Sequence, residues 1–143
     1  MTRPIFATPD DAERAFYEAF ARMDIDALMA VWAEDEEVVC IHPGGARFNG
    51  LSAIREAWRQ LFASGVKLRI RTSQPIRNQA MLMSVHSVLE HVTVEGDEQM
   101  SPPMIATNVY LRGSQGWQMI LHHTSPAPDT DGLMMQDAPR VVH

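Results

Sequence analysis

The chain has 143 residues, a net charge of −6 and a single cysteine, Cys40. That length sets one domain as the expectation, large enough to bury about 70% of the surface its unfolded chain exposes. The acidic balance argues against general nucleic-acid binding. A lone cysteine excludes an internal disulfide, and no apolar run reaches the roughly 20 residues needed to span a bilayer.

Met1-Thr2-Arg3-Pro4 leads into polar sequence with no apolar leader, so a cytoplasmic protein without a membrane partner is expected. Thr8-Pro9-Asp10-Asp11 is a helix start: an N-cap, a proline at the first helical position, and acids in the first turn. Ala12, Ala15, Phe16, Ala19, Phe20 and Met23 then recur every three or four residues on one face. Asp24 caps a shorter helix carrying Leu28, Val31 and Trp32, and Glu34 to Glu37 form an acidic, solvated turn.

Val38 to His42 reads as a short strand ending beside the turn Pro43-Gly44-Gly45. A third helix follows Gly50 to about Ala63, with Ile54, Ala57, Trp58, Leu61 and Phe62 inward, and Ser64-Gly65 stops it. The period then changes from 3.6 to 2. Val66–Arg71 alternates, Met81–Val94 is apolar on both faces, and Met104–Arg112 and Trp117–Ser125 flank the hairpin turn Gly113–Gly116. Short turns predict antiparallel pairing, and strands apolar on both faces need cover on both sides. The fold class expected is α+β: a curved antiparallel sheet wrapped around three N-terminal helices as a cone. Its outer face is expected to meet a second copy of the chain as a homodimer. Pro126, Pro128, Gly132 and Pro139 prevent a long element near the end, so the domain is set at 1–128 and a tail at 129–143.

Two motifs carry a resemblance. I-H-P-G-G-x-x-x-x-G-x-x-A-I-R-E-x-W and the closing W-Q-M-I-L-H-H-T-S-P-A-P resemble the nuclear-transport-factor-two-like superfamily, in its SnoaL-like and ketosteroid-isomerase-like branch. The ending is also similar to the association domain of calcium/calmodulin-dependent kinases, a scaffold rather than an enzyme. The resemblance covers about residues 8 to 128 and implies the cone with an apolar pocket at its open end. It is weak for function, because one fold hosts many activities.

In the steroid isomerases an Asp-Pro ends the first strand and the Asp is the general base. Here His42-Pro43 matches it, and the resemblance implies His42 as acid/base. The position of their oxyanion Tyr falls on Phe16, with Tyr17 one residue off and on a different face. Their second donor falls on Asn108. Each oxyanion donor lost typically costs about 10²–10³ in rate, so ordinary steroid isomerisation is not expected.

The remaining pocket candidates are Phe16, Phe20, Trp32, Trp58, Phe62, His86, Tyr110 and His123, each of which also reads as a core or structural residue. His122 and His123 face opposite ways in a strand. With Asn108 and Tyr110 inward, hairpin pairing puts Met119, Leu121 and His123 inward too. A metal site from His42, His86 and His123 has no supporting spacing, and no metal or cofactor is expected. The function expected is binding of a small apolar or amphipathic molecule, with isomerase, dehydratase or hydrolase chemistry at His42 and Asn108. A non-catalytic ligand-binding or oligomerisation domain is the alternative.

Overall fold

The computed structural model describes residues 3–97 and 102–128; the expected tail, 129–143, lies outside them. Helix α1 (Pro9–Arg22) is capped by Thr8, whose hydroxyl accepts from the Asp11 N–H at 3.0 Å. It ends at Met23 in the left-handed region. Helix α2 (Ile25–Met29) is capped by Asp24 from the Ala27 N–H, and α3 (Leu51–Ala63) begins after Gly50. The strands are β1 (Val39–Ile41), β2 (Arg47–Asn49), β3 (Leu68–Gln79), β4 (Met83–Val94), β5 (Met104–Gly113) and β6 (Gly116–Pro126).

They form one curved, unclosed sheet in the order β2-β1-β6-β5-β4-β3, with the helices against its concave face. This is the expected α+β cone. Three details depart from the sequence reading. The turn at Pro43-Gly44-Gly45 closes a hairpin, so a strand, β2, follows it. β1 runs parallel to β6, because one helix and four strands separate them and no tight turn imposes direction. β3 does not stop at Arg71. A bulge between Ser73 and Ile76 absorbs Gln74, at φ 49°, and Pro75, and the strand resumes to Gln79.

A second irregularity has larger consequences. In β6, Tyr110 pairs with Met119 but Val109 pairs with Leu121, so Ile120 is an extra residue. Each position beyond it changes face. Trp117, Met119, His122 and Thr124 are therefore buried on the concave side, while Leu121 is half-exposed and His123 is exposed. The expectation that Leu121 and His123 point inward is corrected: strict alternation fails at the bulge. Among the described residues no helix is long and apolar enough to cross a membrane.

The N-terminal segment locks onto the last hairpin through a Phe6–Gly116 bridge, with the Trp117 N–H donating to the Phe6 carbonyl at 2.9 Å. Gly116 has φ 82°, and a Cβ there would stand 2.6 Å from the Phe6 oxygen. Gly116→Ala is expected to destabilise the fold by about 1–3 kcal/mol, read as a lower urea midpoint with an unchanged slope.

Candidate functional site

An inward sheet face in a domain of this size is normally apolar. Here four elements place buried polar side chains on it. Glu13 and Tyr17 stand one turn apart on α1. Ser84, His86 and Glu90 share the inward parity of β4, Asn108 and Tyr110 that of β5, and His122 follows the β6 bulge. Buried polar groups persist only when hydrogen-bonded, and these bond one another.

Glu13 Oε2 accepts from Tyr110 Oη at 2.8 Å, His86 Nδ1 at 2.8 Å and Asn108 Nδ2 at 3.3 Å. Burial pushes its carboxyl up, but the bonds and the His86 charge outweigh burial and hold it below the usual carboxylate range. Asn108 Nδ2 also donates to Tyr17 Oη at 2.9 Å, and Tyr17 Oη donates to Glu90 Oε2 at 2.6 Å. With its amide nitrogen committed to donation, Asn108 turns Oδ1 toward His122 Nδ1 at 2.6 Å. That nitrogen must carry the hydrogen, so His122 is the Nδ1–H tautomer. Its Nε2 lies 4.0 Å from Glu90 Oε2.

The two carboxyl groups are pushed apart. Burial, with a further contribution from the Glu13 charge, raises Glu90 to about 7 against the opposing Tyr17 bond. His122 is pushed down to about 3, chiefly by burial, and stays neutral. Burial lifts both Tyr17 and Tyr110 well above the ordinary phenol value, so both remain donors. A carboxyl poised near neutrality, beside fixed donors and a second, ionised carboxylate, is suited to general acid–base chemistry.

Of the two residues expected to carry chemistry, Asn108 sits at the centre of this network and His42 does not join it. His42 follows β1, half-buried, with its ring 4.8 Å from Trp58 and 5.1 Å from Phe48. Its Nε2 is buried without a hydrogen-bond partner, and burial pushes its pKa down. Trp58 stands between the two groups. Its ring lies 6.0 Å from Phe16, 5.2 Å from Phe20, 6.1 Å from Phe62 and 6.1 Å from His122. Trp32 packs 6.5 Å from Phe16, and His86 lies 5.0 Å from Tyr110. His123, on the outer face, is separate from all of these.

Sequence reasoning missed Glu13, Tyr17, Glu90 and His122. Tyr17 is not turned away: α1 buries Phe16 and Tyr17 together, because the sheet wraps more than one stripe of the helix. A usable signal was present for Glu90, the one carboxylate of Met83–Val94, on the same strand parity as His86.

Two clefts bear on access. One of about 350 Å³ lies between α1 and β3 and is lined in part by Glu13 and Tyr17. A larger one, about 910 Å³, lies among α2, the acidic turn and the start of α3, and includes none of the network residues.

The SnoaL-like domain family profile matches residues 10–129. The F-box protein SKIP8 of Arabidopsis thaliana is 24% identical over 131 residues, covering 90% of this chain and 51% of that protein. The chain thus spans about half the length of the curated relative it matches. A structure named as a candidate calcium/calmodulin-dependent protein kinase type II association domain, from Thiobacillus denitrificans, is 41% identical with a TM-score of 0.77, covering 87% of this chain and 99% of that one. A candidate dehydratase of the NTF2-like family from Streptomyces avermitilis is 25% identical with a TM-score of 0.73, covering 85% and 99%.

Because Glu90 is raised from 4.5 to about 7 in the folded state, its ionisation opposes folding. The stability it allows is fully present below pH 4.5 and is lost as pH rises through about 7. Glu90→Gln is expected to remove that loss, worth up to about 3 kcal/mol. Urea melts of both proteins between pH 4.5 and 8 measure it; parallel curves would contradict the assignment.

Proposed function

This chain belongs to the SnoaL-like domain family, and we propose that its cone is a small-molecule acid–base site of the isomerase or dehydratase type. The observation that carries the reading is Glu90, a buried carboxyl near neutrality bonded to Tyr17 and facing His122. As carboxylate it takes a proton from a carbon next to a carbonyl. It then returns that proton to another carbon, or to a departing β-hydroxyl that leaves as water. Tyr17 fixes the Glu90 carboxyl through its one O–H, and Asn108, whose amide donates to Glu13 and Tyr17, holds that tyrosine in place. This moves the acid/base role from His42 to Glu90. His42 becomes a ligand contact in the aromatic wall, because its buried Nε2 lacks a partner. The NTF2-like candidate dehydratase at 25% identity supports the reaction class. The single, fully buried Cys40 suits a reducing, cytoplasmic setting.

An assembly role is the second reading, favoured by the 41% identity to the candidate association domain. The outer sheet face presents Val85, Leu89, Ile105, Val109 and Leu121 half-exposed, and nothing among the described residues covers them. A second copy of the chain is the occupant this face suits. The two readings are compatible, since one uses the concave face and the other the convex face.

Two measurements test them. On a panel of β-hydroxy ketones and β,γ-enones, Glu90→Gln should lower kcat about 10²–10⁴-fold. The wild-type rate should rise with pH through about 7 as Glu90 ionises. Turnover that survives Glu90→Gln, or a profile flat across neutrality, rejects the acid–base reading. Val109→Asp should halve the mass seen by light scattering; a wild-type protein that is monomeric at every concentration rejects the assembly reading.

A further inference from the structure

The cleft between α1 and β3 has a floor that the interior network does not use up. Glu13 is only 7% exposed, and its three hydrogen bonds all go to Oε2. Among the described residues Oε1 has no hydrogen-bond partner, and Glu13 lines this cleft. A buried carboxylate with one free oxygen on a cleft is a strong acceptor for a charged donor.

The rest of the lining points the same way. Arg77 is paired with Asp10 at 2.9 Å, and Arg14 with Asp11 at 3.3 Å. Both arginines of the lining are thus neutralised by aspartates. Glu18 also lines the cleft and makes no ion pair among the described residues. Thr72 adds a polar edge, while Ala21 and Ile70 give an apolar wall. The volume, about 350 Å³, is at the lower end of small-ligand sites, roughly 300–1,000 Å³. Net attraction favours a cation, and a carboxylate would face Glu13 and Glu18 unpaired.

We propose that the α1–β3 cleft binds a small organic cation, an ammonium or guanidinium group on a short apolar body, with Glu13 Oε1 as its anchor. The site stands apart from the acid–base reading: it uses the oxygen of Glu13 that the network's three hydrogen bonds leave unbonded, and it requires no turnover.

Benzylammonium, benzyl alcohol and benzoate are nearly isosteric probes that differ in charge. Titrated into the full chain at neutral pH, benzylammonium is expected to saturate, with backbone amide shifts concentrated in residues 10–21 and 70–77. Benzyl alcohol and benzoate should bind at least about ten-fold more weakly. Thr72→Arg sets a competing guanidinium in the cleft from an exposed position and should weaken benzylammonium by a similar factor. Glu13→Gln should do the same if it folds; Thr72→Arg and Glu18→Lys keep the test decisive if it does not. Equal binding of benzoate, no saturable binding, shifts centred elsewhere, or undiminished affinity in Thr72→Arg would each overturn the proposal. Glu90 does not line the cleft, so benzylammonium binding that persists in Glu90→Gln separates this site from the chemistry proposed for the interior.

Discussion

Two carboxyl groups, Glu13 and Glu90, are buried inside one small domain, and the interior is arranged around keeping them there. An ionised carboxylate cannot be taken from water without compensation. Glu13 is compensated by three donors from two strands. Glu90 has Tyr17 as its hydrogen-bond donor and is held near the boundary between charged and neutral forms. Asn108 links the two, because an amide can donate to Glu13 and Tyr17 while accepting from His122. The donors run in one direction, His122 to Asn108 to Tyr17 to Glu90. Such chains polarise in series and fix tautomers.

The aromatic side chains of the cone gather around Trp58. Trp58 is in ring contact with Phe16, Phe20, Phe62, His42 and His122. Its edge contacts with Phe16 and Phe20 are the geometry preferred by ring quadrupoles. Burial in this apolar interior desolvates His122, Glu90 and Cys40, whose thiol it pushes up to about 12. The same packing therefore holds the fold and sets the proton affinities within it.

Two bulges shape what the sheet presents. The β3 bulge at Gln74 and Pro75 interrupts the strand that runs beside α1, where the smaller cleft lies. The β6 bulge at Ile120 decides which of two adjacent histidines enters the interior. Each is a one- or two-residue event in a ladder, yet each re-aims side chains along the rest of its strand.

The helices, their caps and the main hairpin turn were legible in the amino-acid order, because Thr8, Asp24 and the 3.6-residue periodicity act over a few residues. The cone was legible too, through the shift from helical to alternating pattern and the two motifs near His42 and the C-terminal strand. The partners of Asn108 were not. Glu13 lies 95 residues from it and Tyr17 91, and Glu90 meets Tyr17 across 73. Nor did alternation reveal the bulge that exchanges His122 for His123. Local rules reach about one turn of helix or one step of strand; which buried charges meet is decided by strand pairing and register over the whole sheet, and only folding sets those.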